Sequence, residues 1–313
     1  MVEKNFYFDW AATSPVDELL LKEAFSITLK EWGNPSSSHQ IGKTAKKILE
    51  DARISCANTL GVKPENIIFT SGGTESDAIP ILAQLAKPQK GHILFSSIEH
   101  PAVREQANAL KNCGWKVSQI PCNKNGIISV DSVINLITNE TTLICIMAVN
   151  NETGAIQPIY EIADAIKQVS NGKRTPKLHI DCVQAAGKIP LNINYQGIDS
   201  AAFSAHKICG PRGIGILYTK DNIESFLRGG GQEQGIRSGT ENVYGAVAFS
   251  KVLEKYYFKP EDSKNESFLK QKEITFDFVK KLSELKGCTI IPQERLENPD
   301  LYSPYVVQVA FNN

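Results

Sequence analysis

Apolar residues along the chain fall into two regimes. In the first, Ile41, Ala45, Ile48, Ala52, Ala57 and Leu60 recur at helical spacing and predict a helix from about His39 to Leu60. Ahead of it, Ser14-Pro15-Val16-Asp17 reads as a capping box with proline at the first helical position, opening a helix that runs to about Trp32. The second regime is a series of short apolar runs separated by helical stretches: Ile67–Thr70, His92–Ile98, Lys116–Ile120, Leu143–Val149, Leu178–Ile180, Ser200–Ala205 and Ile214–Tyr218. Continuous rather than alternating runs predict strands buried on both faces, as in a mostly parallel seven-stranded α/β sheet flanked by helices. In such sheets ligands sit beyond the carboxyl ends of the strands. Past Gly239 the pattern shifts to a helix from about Asn242 to Tyr257, the polar connector "KPEDSKNES", a helix from Phe268 to Leu285, and two strand-like runs, Thr289–Ile291 and Tyr305–Phe311. The expected organisation is a large domain over 1–255 and a smaller, incomplete α/β domain over 256–313. The first fifteen or so residues are expected to pack with the smaller one.

Composition narrows the function classes. The 313 residues carry 34 basic and 34 acidic side chains, so no net charge draws the chain to DNA or an anionic membrane. There is no apolar run of membrane-spanning length, and "MVEKNFYFDWAATSP" lacks the shape of a signal peptide. The seven cysteines, at 56, 113, 122, 145, 182, 209 and 288, are too irregularly spaced for a disulfide framework or a zinc site. These features predict a cytoplasmic protein with reduced thiols.

The strand-end loops carry the chemistry. Ser71-Gly72-Gly73-Thr74 opens a helix whose free N–H groups, with glycines allowing close approach, suit a phosphate. Glu99-His100-Pro101 brings an imidazole to the same rim, and Asn150-Asn151-Glu152-Thr153-Gly154 a polar turn. Asp181 closes an apolar strand, where an aspartate serves as a helix cap or holds a cationic partner, and Gln184 follows three residues on. Ser204, His206 and Lys207 come next, then "RGGGQEQGIRSGTEN", whose five glycines between 229 and 239 imply mobility or tight backbone approach. Each loop alone reads equally well as a turn. Together they supply a phosphate cradle, an aromatic ring, a carboxylate, amides and an amine, the set that pyridoxal 5′-phosphate requires, with Lys207 as the Schiff-base candidate. A dinucleotide site fits poorly, because "GPRGIG" precedes a strand instead of joining strand to helix.

The stretches "FDWAATSP" (8–15), "GNPSSSHQIG" (33–42), "FTSGGTESD" (69–77), "EHPAV" (99–103), "VNNETGAIQ" (149–157), "HIDCVQAAGK" (179–188), "SAHKICGPRGIG" (204–215) and "RSGTEN" (237–242) form an ordered set. The set resembles the cysteine desulfurases, the class V branch of the fold-type-I pyridoxal-phosphate enzymes. The resemblance implies that Lys207 bonds the cofactor, and that His100 stacks on its ring and shuttles protons. It implies that Asp181 pairs the ring nitrogen while Gln184 and Asn151 address the ring hydroxyl. Gly73, Thr74, Ser204 and His206 would hold the phosphate, and Thr240 would reach the phosphate of a second subunit in a homodimer. The implied reaction converts L-cysteine to L-alanine and passes sulfur on as a persulfide, to an iron–sulfur scaffold or for tRNA thiolation.

The family's nucleophilic cysteine and its carboxylate-binding arginine lie beyond the strand that Val306–Phe311 resembles, past Asn313. The expectation is therefore a chain that binds cofactor but desulfurates poorly. Cys182 and Cys209, beside Asp181 and Lys207, are the only thiols expected near the cofactor, and buried inert thiols are the default. The alternatives are a selenocysteine lyase or another class V lyase or aminotransferase, and a non-catalytic product or half of a split enzyme.

Overall fold

The computed structural model describes residues 6–312 apart from Asn171 and Lys173. Seven strands, β1 (Ile67–Thr70), β2 (His92–Ser96), β3 (Lys116–Ile120), β4 (Thr141–Met147), β5 (Lys177–Asp181), β6 (Ser200–Ser204) and β7 (Gly215–Thr219), form one sheet in the order β1-β7-β6-β5-β4-β2-β3. The five strands from β6 through β3 are parallel, and β7 runs antiparallel to both β6 and β1. Because β1 and β6 are each antiparallel to β7, β1 points the same way as the parallel set. Six of the seven strands thus deliver their loops to one end of the sheet. β4, "TTLICIM", is buried at every position, as a central strand covered on both faces must be. The expectation of continuous burial fails most at β3, an edge strand with one buried residue, Ile120, and locally at exposed Ser97 and Lys177.

Helices cover both faces. On one side α2 (Gln40–Leu60), α6 (Ile159–Ser170) and α7 (Val243–Tyr256) bury Leu49, Ile162, Phe249 and Leu253 against Ile144, Ile180 and Phe203. On the other, α3 (Gly73–Leu82) lies over β5, β6 and β7, and α4 (Pro101–Asn112) closes Val103 and Leu110 onto Ile93 and Phe95. A short helix α5 (Val130–Ile134) packs beside α6.

The first helix, α1 (Glu18–Lys30), starts later than the capping-box reading placed it. Asp17 is its cap, accepting from Leu20 N at 3.2 Å. Ser14 is committed elsewhere: its hydroxyl donates to His206 O at 2.9 Å and accepts from Cys209 N at 2.7 Å. Of the first fifteen residues, expected to pack with the C-terminal part, Ala11 to Ser14 bond instead to the turn at 204–209 and to Gln184. Met1 to Asn5 fall outside the described residues.

The C-terminal part consists of α8 (Glu266–Ser283), capped by Asn265, and a two-stranded antiparallel sheet of β8 (Cys288–Ile291) and β9 (Gln308–Phe311). Among the described residues no helix is long and apolar enough to cross a membrane.

Candidate active site

A cleft of about 370 Å³ opens at the carboxyl ends of the strands. Gly73, Thr74, His100, Asn151, Asp181, Gln184, Ser204, His206 and Lys207, nine of the ten residues predicted for the site, line it together. Thr240 does not: it is exposed in the glycine-rich loop. Asp9, Ala11, Ala12, Asp77, Ala102, Met147 and Val183 complete the lining. Asp77 had a legible signal, since it stands three residues after Thr74 on one helix and so shares its face.

The anion end is built by α3. Its cap, Gly72, offers no side-chain acceptor, so the first-turn N–H groups are left for a ligand. Gly73 packs so closely that a Cβ there would stand 2.7 Å from Val183 Cγ2. The glycine-rich loop is pinned rather than loose. Its Glu233 forms a buried bidentate pair with Arg53 at 2.6 and 2.7 Å and accepts Phe69 N at 2.7 Å, while Arg237 reaches Glu75 at 3.1 Å.

The amine end is the turn after β6. Lys207 Nζ donates to the carbonyls of Ala11 at 2.5 Å and Ala12 at 2.8 Å. Burial lowers its pKa from the ordinary lysine value, against the opposing pull of Asp181 and Asp9. Lys188, buried beneath, donates to Gln184 Oε1, and Gln184 Nε2 donates to Ala11 O at 2.9 Å. Burial and the Lys207 charge bring Lys188 down to about 7. His206 is also lowered, to about 4, by burial and by Lys207, Arg212 and Lys188, and its Nδ1 meets Thr13 Oγ1 at 3.1 Å.

His100 caps α4, its Nδ1 accepting from Ala102 N at 3.1 Å. Burial and the neighbouring Lys207 and Arg104 charges lower its pKa. A neutral ring whose Nδ1 accepts must carry its proton on Nε2. On the floor of the cleft Asp181 accepts Val183 N at 2.8 Å through Oδ1, and among the described residues its Oδ2 accepts no hydrogen bond. Burial and the adjacent Asp77 raise it to about 8. A buried carboxyl so raised, in one cleft with the Lys207 amine and an uncapped helix start, fits a ligand with a cationic ring nitrogen and an anionic tail.

All seven cysteines are free thiols. Cys182 and Cys209, expected near the cofactor, do not line the cleft. Cys182 belongs to the apolar core, and Cys209 sits at φ +66°, bonded through its N–H to Ser14. Burial raises the pKa of both.

The architecture is that of the fold-type-I pyridoxal-phosphate enzymes. The aminotransferase class-V pattern matches residues 6–310, and the chain belongs to that pyridoxal-phosphate-dependent family. It is 38% identical over 258 residues to the cysteine desulfurase IscS of Dictyoglomus turgidum, covering 81% of this chain and 64% of that protein. The chain therefore spans just under two thirds of that relative's length. Among solved structures, a NifS-like protein superposes with a TM-score of 0.85 at 35% identity, over 97% of this chain and 81% of the other. SspA in complex with cysteine superposes with a TM-score of 0.83 at 29% identity, over 98% and 84%.

Proposed function

We propose that the cleft binds pyridoxal phosphate and that the chain belongs to a cysteine desulfurase acting on L-cysteine, releasing L-alanine and passing sulfur on as a persulfide. The observation that carries this reading is the convergence of the Lys207 amine, the raised Asp181 carboxyl and the uncapped start of α3 on one cleft. Bound there, the cofactor supplies an electron sink that draws charge from the substrate's α-carbon. Lys207 offers the amine that holds the cofactor. Asp181, paired with a cationic ring nitrogen, keeps the proton there. Gly73 N–H, Thr74, Ser204 and His206 hold the phosphate, and Gln184 and Asn151 bond the ring hydroxyl. His100 covers the ring and presents Nε2–H, which lets it give and take a proton at the substrate. Thr240, exposed and outside this cleft, is free to reach the phosphate of a second subunit in a homodimer. The sulfur acceptor is a thiol-bearing partner such as an iron–sulfur scaffold.

A second reading rests on the cysteines. None of the seven lines the cleft, and a positioned nucleophile is worth roughly 7–11 kcal/mol of barrier. A class V lyase, such as a selenocysteine lyase, would release its product without a thiolate from these residues. One experiment separates the readings: a visible absorbance titration of the chain with pyridoxal phosphate, followed by L-cysteine and a reductant with sulfide assayed. The cofactor site requires a new band that disappears in Lys207→Ala. Sulfide above that control supports desulfuration. A band without sulfide from cysteine, but with selenide from selenocysteine, supports the lyase.

A further inference from the structure

One face of the sheet, the one under α3, ends in two cavities. The first is the cleft. The second, of about 710 Å³, lies at the opposite ends of the strands and is lined by Pro80 of α3, Gln84 of the turn after it, Lys177 of β5 and Ser200 of β6. Alternation along parallel strands explains the pairing. Lys177, His179 and Asp181 share one face of β5, and Ser200, Ala202 and Ser204 share the matching face of β6. The register sets His179 beside Ser200 and Asp181 beside Ala202. The step from Lys177 to Asp181 spans about 13 Å, the depth of the sheet between the cavities.

His179 bridges that depth. Its Nε2 lies 3.0 Å from Asp77 Oδ1 and its Nδ1 2.8 Å from Ser200 Oγ. His179 and Asp77 are at most 1% exposed. Asp77 lines the cleft beside Asp181, and Ser200 lines the second cavity. Glu99, also buried, adds a further carboxyl to this interior.

We infer that Asp77, His179 and Ser200 form a proton relay that joins the floor of the cleft to the second cavity. In one state the Asp77 carboxyl donates to Nε2, and Nδ1–H donates to Ser200 Oγ. Transfer moves the Asp77 proton to Nε2, the Nδ1 proton to Ser200 Oγ, and the original Ser200 proton to water in the second cavity. The end state is an Asp77 carboxylate accepting from Nε2–H, with Ser200 O–H donating to Nδ1, and one proton delivered to that water. The reverse sequence returns it. His179 stays neutral at both ends of the transfer, in keeping with a pKa that burial lowers to about 4. The relay lets the buried carboxyl pair of Asp77 and Asp181 adjust its charge while the mouth of the cleft is closed by a ligand.

The test reads His179 itself and so is independent of the proposed reaction. The full chain, labelled with ¹⁵N-histidine, is studied by ring ¹⁵N–¹H correlation NMR, with His179 assigned by its loss in His179→Gln. The relay requires a singly protonated His179 at neutral pH; an imidazolium overturns it. Solvent exchange of the ring proton is then compared in Ser200→Thr and Ser200→Val, which have the same shape and differ in the hydroxyl. The expected result is exchange slowed about tenfold or more in Val and near wild type in Thr. Equal rates in the two overturn the relay, and Ser200→Ala against wild type gives the same comparison if the branched pair does not fold. In the wild-type chain, filling the cleft with pyridoxal phosphate should leave the exchange rate within about twofold, whereas a fall of tenfold or more would place the route through the cleft mouth and overturn the relay.

Discussion

The seven-stranded sheet and the C-terminal helix-hairpin are held in different ways. In the sheet, stability comes from apolar layers: Phe203 and Phe249 are wholly buried, and β4 is covered on both faces. In the C-terminal part, α8 buries only Phe268, Thr275 and Val279 and exposes Leu269, Ile274, Phe276 and Phe278. A two-stranded sheet is marginal by itself. Backbone hydrogen bonds dock it onto the loop after β4: Ser303 N donates to Gly154 O at 2.8 Å and Ile156 N to Leu301 O at 2.9 Å. Buried Arg295 adds Ser303 O at 2.7 Å and Thr153 O at 3.2 Å, and its guanidinium stands 5.5 Å from the Tyr302 ring centroid. The part bearing the cleft thus rests mainly on its own apolar layers, whereas the C-terminal part is held to it by a few polar bonds.

Four changes put this contrast to the test. Glu233→Ala takes the buried bidentate partner from Arg53, leaving it the half-exposed Glu50 at 3.2 Å, and releases the glycine-rich loop from Phe69 N, so denaturant unfolding should show a loss of about 3–5 kcal/mol in the sheet. Arg295→Ala leaves carbonyls unpaired, at about 1–3 kcal/mol, and its effect should be local. Amide exchange should rise in β8 and β9 and not in β4; a uniform rise would erase the distinction. The third change concerns pH. The folded pKa of Asp181, about 8, lies above its ordinary 3.8, so the folded state binds more protons between those values. Its contribution to stability is fully present below about 4 and is lost as pH rises through 8. The cofactor-free chain should therefore melt at a lower temperature as pH rises across that window, and Asp181→Asn should flatten the slope. Added pyridoxal phosphate should restore the wild-type melting temperature but not that of the variant. The smallest effect belongs to α8, where Phe278→Ser should alter stability by within about 0.5 kcal/mol while reducing self-association measured by light scattering.

The positions of all seven strands were legible because each apolar run is bounded by a turn, and the strand-end loops exposed the cleft residues with them. Less was legible where a residue's role depends on a distant partner. Ser14 had the sequence of a cap, yet its hydroxyl is taken by a turn nearly two hundred positions away. His179 sits in "HID" as one polar residue in an apolar strand, and only the register with β6 and the placement of α3 reveal Ser200 and Asp77 as its neighbours. Arg295 bonds backbone carbonyls, which any sequence supplies, so nothing marked it in advance.

The carbonyls of Ala11 and Ala12 that cap the Lys207 ammonium make the entering segment a placeholder. An amine bonded to an incoming carbonyl compound has fewer N–H groups to give, so the same event that captures a ligand loosens this strap and leaves Gln184 and the Ser14 bonds to hold it. Occupancy and strap closure thereby compete for one nitrogen. Cleavage near Trp10 by an added protease should accordingly quicken as the site fills, making the front of the chain a gauge of what its interior holds.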